Sequence, residues 1–365
     1  MITKIFSIVG LYCFLVVTTP TCCVVVGFTG LENGSKKVAI MFDKHDMEQE
    51  DGITRAHGKE IETLLERLQK NGPEKTFYVE HPVNSPIFGV AGNDTIHIPI
   101  KKALAYNWQQ NFTEYQTFDK RTDADFWIRD IVLQTQQFQD AVAQKYNFPA
   151  SFYDVTVDNY LKNLDSKMQE SQQIITHFDD SLQKDFTEQL KVYDVAKNML
   201  AHIVKKPKFS TATHFLDIVG NMFLQEKTDM FVTLTAAQSV MLDLTLLDKV
   251  IKNSSATDNV IVYAGGLHAQ KLETNLMTMG FKDVFVSRNL KAGLKVDDLA
   301  HIEYPKNISP TFVAPIYEFF TMCSGCGATS TKKCTVCKRA YYCSVACQKT
   351  DWSQHKLACK KTTTP

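Results

Sequence analysis

The segment CSGCGATSTKKCTVCKRAYYCSVACQKTDWSQHKLAC, residues 323–359, carries eight soft metal ligands in four pairs: Cys323-x2-Cys326, Cys334-x2-Cys337, Cys343-x3-Cys347 and His355-x3-Cys359. A C-x2-C pair sits on a tight knuckle that aims both sulfurs at one ion. Ligands four residues apart share one face of a helix. Eight such ligands fit two four-coordinate zinc ions. Disulfides would use the same cysteines, but His355 falls at a ligand's offset and the pairs are too close to staple a long loop. The cysteine distribution agrees. Of ten cysteines, seven lie in this segment and three (Cys13, Cys22, Cys23) in the N-terminal apolar stretch, with none from Val24 to Met322. A disulfide-framed secreted fold would spread its cysteines through the body.

With this spacing, and with Tyr341-Tyr342-Cys343, Cys347-Gln348 and Trp352-x2-His355, the segment resembles the MYND family of zinc fingers. The resemblance implies interleaved ligands: Cys323, Cys326, Cys343 and Cys347 on one zinc ion, and Cys334, Cys337, His355 and Cys359 on the other. Interleaving cross-links a segment with too few apolar residues to fold unaided. Zinc binding is then folding energy, on the order of ten kcal/mol per site. The resemblance also implies a module that docks partner proteins, commonly through short proline-containing peptides, with Gln348 and Trp352 at the partner-binding positions. Trp352 has a second reading, as filling for the finger's own small core. Eight basic side chains (Lys332, Lys333, Lys338, Arg339, Lys349, Lys356, Lys360, Lys361) meet one acid, Asp351. With seven thiolates and two Zn²⁺ the net charge is about +4. No base-reading helix accompanies that charge, so it reads as a solvated face and not as a nucleic-acid surface.

Upstream, the chain alternates between strand and helix signals. Val38-Ala-Ile-Met-Phe42 is a short apolar run, a buried strand. Helical spacing follows over Ile53–Leu68, closed by Asn71-Gly72-Pro73, and Thr76-Phe-Tyr-Val79 is a second strand. This order predicts a βαβ unit. Residues 123–223 read as helical, with a break at Lys206-Pro207. Then come a helix (Ala236–Asn253), a strand (Asn259–Tyr263), a helix (Leu267–Met279) and a strand (Asp283–Val286). The expected fold is therefore α/β over residues 36–300, a mixed or parallel sheet with a large helical insertion. An irregular stretch, Leu290–Pro315, leads into the two-zinc finger.

In a parallel sheet, the loops after the strands' carboxyl ends share one rim, where ligand sites usually lie. Three chemistry-bearing residues fall there: His45 after the first strand, Glu80 after the second, and His268 in Gly265-Gly-Leu-His268 after the late strand. Two imidazoles and a carboxylate suffice to bind a metal or run acid–base chemistry. Each is also explained singly by a solvated loop or a satisfied core histidine. The set is similar to the superfamily of TraB/TIKI proteins, haem-binding ChaN and erythromycin esterases, which carry a GxxH near the first strand, a glutamate after the second and a late GxxH. The late motif matches, while the early one reads Phe42-Asp-Lys-His45, without the glycine. That resemblance implies a metal-dependent or acid–base hydrolase with His45, Glu80 and His268 as catalytic residues. No P-loop, GxGxxG or G-x-S-x-G is present.

After Lys4 there is no charged side chain until Glu32, and Ile5–Val17 is strongly apolar. This predicts a signal peptide or membrane anchor over residues 1–27, cleaved, if at all, near Cys22–Gly27. The same composition fits a buried strand or helix of the core; the terminal position and Lys4 favour targeting. The expected location is exported or membrane-anchored, with the thiolate finger in a reducing compartment. Five Asn-x-Ser/Thr sequons (Asn33, Asn93, Asn111, Asn253, Asn307) matter only on a secretory route. Forty basic side chains balance forty acidic ones, so nothing global points to nucleic acid or an acidic partner. The primary expectation is a zinc-binding protein whose finger docks partner proteins from an α/β body.

Overall fold

The computed structural model describes residues 22–46, 63–64, 67–68, 75–80, 112–117, 155–206, 210–214, 218, 224–252, 258–288 and, except for 327, 329, 331 and 339, 310–359. Residues 20–118 with 249–365 form one compact unit; residues 119–248 belong to the other.

The sheet unit begins with β1 (Cys22–Asn33) and β2 (Lys36–Asp46), an antiparallel hairpin in which Asn33 pairs with Lys36 and Cys23 with His45. Next come β3 (Lys75–Val79) and β4 (Phe112–Thr117). After the helical insertion follow β5 (Asn259–Gly265) and, beyond one helix, β6 (Lys282–Arg288). The six strands lie in the order β4-β3-β5-β2-β1-β6. Strands β2, β5, β3 and β4 run parallel, and β1 is antiparallel to both β2 and β6. The sheet is mixed, and β5 separates the two strands predicted as a simple βαβ pair. Only the late strand's return shows this, because nothing local in β2 or β3 encodes the intervening neighbour.

β1 occupies residues expected to end the leader. It lies between β2 and β6, and Val25, Phe28 and Leu31 are fully buried. An internal strand sheds charge for the same reason that a leader does: neither can leave an ion without water. Cleavage near Cys22–Gly27 would cut into this strand. Residues 1–21 of the expected leader lie outside the described residues. No helix among the described residues is long and apolar enough to cross a membrane.

The insertion supplies α1 (Val157–Ile175), α2 (Asp180–Val204) and α3 (Leu224–Lys252). Thr156 and Asp179 cap the first two, each side chain accepting an N–H from three residues on. α2 buries Leu182, Phe186, Leu190, Tyr193, Ala196, Leu200 and Ile203, the spacing of one helix face. Lys197 pairs with Asp165 across to α1 at 2.6 Å. α2 ends at Val204, just before the predicted break.

In the sheet unit, α4 (Gly266–Thr278) follows β5 directly. α5 (Pro310–Phe319) is helical where an irregular lead-in was expected over its first residues. Pro310 takes the helix's first position, where a missing N–H costs nothing and φ is already set. Its far end enters the sheet's core: Ile316, Tyr317, Phe319, Phe320 and Met322 pack with Phe28, Met41, Leu68, Phe77, Ile261 and Tyr263.

Candidate metal centre

Two knuckles and one helix build the finger. The first knuckle is pinned by the Cys323 N–H to the Ala328 carbonyl (2.7 Å) and the Ser324 N–H to the Tyr341 carbonyl (2.8 Å). The second is closed by the Cys334 N–H to the Ala340 carbonyl (2.8 Å) and the Lys338 N–H to the Cys334 carbonyl (3.0 Å). Lys338 takes φ 58°, the left-handed turn that ends the knuckle. Gly325 lies against α6 (Val345–Ala358): a Cβ there would stand 3.0 Å from the Cys347 carbonyl oxygen. Ser344 caps α6 by accepting the Cys347 N–H at 3.1 Å, so the cap also places a ligand.

These elements gather the ligands into two interleaved quartets, Cys323, Cys326, Cys343 and Cys347, and Cys334, Cys337, His355 and Cys359. Within each, all four ligand atoms lie within 4.8 Å of one another. Cys326 and Cys343 sulfurs are 3.4 Å apart, Cys343 and Cys347 3.5 Å, Cys334 and Cys359 3.8 Å, and Cys337 Sγ stands 3.4 Å from His355 Nε2. A tetrahedral zinc with bonds of about 2.3 Å to sulfur has edges of about 3.8 Å, so these spacings fit its coordination shell. A disulfide needs about 2.05 Å, and all seven cysteines are free thiols.

Electrostatics agrees with a cation. Burial raises the Cys334 thiol, but the backbone N–H groups of Cys337 and Val336, with the His355 side chain, outweigh it and bring its pKa down to about 6. Cys323 is likewise raised by burial and then lowered, on balance, by the N–H groups of Cys343, Cys326 and Gly325. Cys326 is pushed up to about 12 by desolvation and by its thiol neighbours. In the second quartet desolvation and the Cys334 side chain push Cys359 up to about 11, so each quartet pairs a sulfur ready to ionise with one that resists, as closely packed like charges must unless a divalent cation joins them. The finger's interior is made mainly of these ligands, with Ala340 and Tyr342 added. Tyr342 donates to Asp351 at 2.6 Å, so the segment's one acid serves a buried phenol. Tyr342 and Trp352 flank the His355 ring at centroid distances of 5.8 and 5.9 Å.

Trp352 packs against His355 and is 44 % exposed. Val345, two turns earlier on the same face of α6, is 67 % exposed, and Gln348 lies between them, half-buried. The core-filling reading of Trp352 accounts for its contact with His355 but not for its exposure. Val345 was not singled out from the sequence; its seven-residue offset from Trp352 was the available signal.

In the body, the carboxyl ends of β2, β5 and β3 share one edge of the sheet. Glu80 is buried there: its N–H donates to the Tyr263 carbonyl (3.1 Å), and its Oε2 accepts the Gly265 N–H. His268, in the first turn of α4, brings Nε2 to 3.7 Å from Glu80 Oε1. His45 is part of β2 and not of a loop after it. Asp43 pairs with Gly265, which puts the His45 backbone at the same edge; its side chain lies outside the described residues.

Residues 323–359 match the MYND finger family. A zinc finger MYND domain-containing protein 10 homolog from Drosophila melanogaster is 55% identical over 40 residues, 11% of this chain and 9% of that protein. Ubiquitin carboxyl-terminal hydrolase 19 of Arabidopsis thaliana is 62% identical over 39 residues, 10% of this chain and 6% of the relative. N-lysine methyltransferase SMYD2 of Gallus gallus is 47% identical over 51 residues, 13% and 12% respectively. The chain thus spans about a tenth or less of the length of the first two. No solved structure matches the chain. The C-terminal segment is a MYND finger with two Cys/His zinc sites.

Proposed function

We propose that the finger docks a partner protein through the α6 face of Val345, Gln348 and Trp352, and that the preferred segment contains proline. The single observation that carries this reading is the exposed indole of Trp352, aligned with exposed Val345 on a helix that carries the metal ligands Cys347 and His355 and is flanked by Cys343 and Cys359. An aromatic ring with an apolar neighbour is the usual platform for a proline-rich extended peptide, and Gln348 can hydrogen-bond its backbone. The N-terminal segment, residues 1–27, uncharged after Lys4, would target or anchor the chain, with the finger in a reducing compartment. A fusion reporter checks this: membrane association or export is expected, and a uniformly soluble distribution would defeat it.

The Glu80–His268 contact favours a second reading, in which the body is a metal-dependent or acid–base hydrolase using His45, Glu80 and His268. A buried carboxylate fixed by a backbone N–H beside an imidazole is a recurring catalytic arrangement. Two variants separate the readings. Trp352→Ala should weaken binding to a panel of proline-containing peptides by about tenfold or more while both zinc ions remain bound. His268→Ala should leave that binding intact and abolish hydrolysis if the body is an enzyme. Full peptide affinity in Trp352→Ala would overturn the docking face.

A further inference from the structure

The finger leaves the sheet without a linker. α5 contributes Ile316, Tyr317 and Phe319 to the sheet's core, Phe320 and Met322 just beyond it are buried in the same cluster, and the next residue, Cys323, is the first zinc ligand. The joint is tied residue by residue. The Met322 N–H donates to the Tyr317 carbonyl (2.7 Å), the Thr321 N–H to the Glu318 carbonyl (2.9 Å), and the Ser330 N–H of the finger returns to the Thr321 carbonyl (3.0 Å). From the sheet side, Lys37 donates to the Phe319 carbonyl at 2.7 Å, Phe285 of β6 stacks edge-on against Phe319 (5.5 Å), and the Lys75 ammonium stands 5.4 Å from the Phe320 ring. Lys338 and Tyr341 of the finger line one cavity with Glu32, Lys37 and Phe285 of the sheet.

α5 itself is ten residues long with Pro315 inside it. Helices that short are marginal in water, and an internal proline removes a hydrogen bond. Its shape therefore depends on what holds its ends. At the carboxyl end those holds are the sheet's core and the first knuckle, and the knuckle's own order depends on zinc because ligands form most of its interior.

We infer that zinc loading of the finger controls the stability of the α/β sheet, with α5 as the transmitting element. Zinc loss releases Cys323 and the turn at Thr321, and the aromatic pair Phe319–Phe320 loses its fixed end. The β1–β6 edge beneath them then loosens. Coupling between two equilibria is reciprocal, so an intact sheet must also raise the finger's zinc affinity. This rests on the two quartets and needs no docked partner.

Hydrogen exchange on the full-length chain, reduced and zinc-loaded or stripped with a chelator, tests it. Peptides from α5, β1 and β6 should exchange about tenfold faster or more after zinc removal. Unchanged protection there, alongside lost protection in residues 323–359, would overturn the inference. In the reciprocal arm, Phe319→Ala should weaken zinc affinity about tenfold in competition with a chromophoric chelator; wild-type affinity would also overturn it. A short Gly-Ser insertion between Met322 and Cys323 keeps both quartets and should abolish the effect of chelation on α5. Persistence of that effect would mean that it does not pass through the joint.

Discussion

Gly30 shows how a single side chain's absence shapes the sheet edge. A Cβ at Gly30 would lie 2.2 Å from the Phe285 ring, which is itself wedged against Phe319. The bare backbone of β1 is therefore the ring's seat. Gly30→Ala should destabilise the sheet unit by about 1–3 kcal/mol, the usual cost of overpacking, read by chemical denaturation of zinc-loaded protein. Adding Phe285→Leu should recover part of that loss, and a neutral Gly30→Ala would refute the packing argument. Trp352 makes the complementary point. Its identity was legible in the sequence, but its exposure was not, since an indole beside a small metal-held core serves equally as filler or as surface.

Among the elements, three lysines at strand beginnings donate to backbone carbonyls of other segments. Lys36 donates to the Val250 and Ile251 carbonyls in the last turn of α3, Lys37 to Phe319 at the end of α5, and Lys75 to the Leu68 carbonyl at 2.8 Å. Lys36 and Lys37 each meet the negative end of a helix. Lys75 is fully buried, and desolvation lowers its pKa to about 7. Its folded value thus lies below its unfolded one, so between about pH 7 and 10.5 the unfolded chain binds more protons. Stability should rise with pH across that window, and the penalty is fully present below it. The measurement is the difference in unfolding free energy between wild type and Lys75→Met at pH 6.5 and 9.5. Wild type should gain on the variant as pH rises; parallel profiles would show that Lys75 titrates normally. The elements also show where periodicity is silent. β1, buried on both faces, has no alternation to read, and its uncharged run is shared with targeting segments. α5 hides behind its prolines, one of which starts the helix.

At the scale of the whole molecule, the finger continues the sheet unit's core through α5, and the proposed coupling of zinc to the sheet passes through that joint. The eight zinc ligands were determined by the sequence alone. Within each pair the ligands are three or four residues apart, and at that range backbone geometry, not the rest of the fold, sets where sulfur and imidazole point. The strands β2, β3, β5 and β6 and the helical insertion were legible for a related reason, since each has enough apolar residues at one period to announce itself. Only the tertiary structure decided that Glu80 and His268 meet, that His45 belongs to a strand, that residues 22–33 run through the sheet, and that α5 joins finger to core. Those outcomes depend on partners tens to hundreds of residues distant. The pairing of distant segments is a property of the packed chain, with no local pattern to record it.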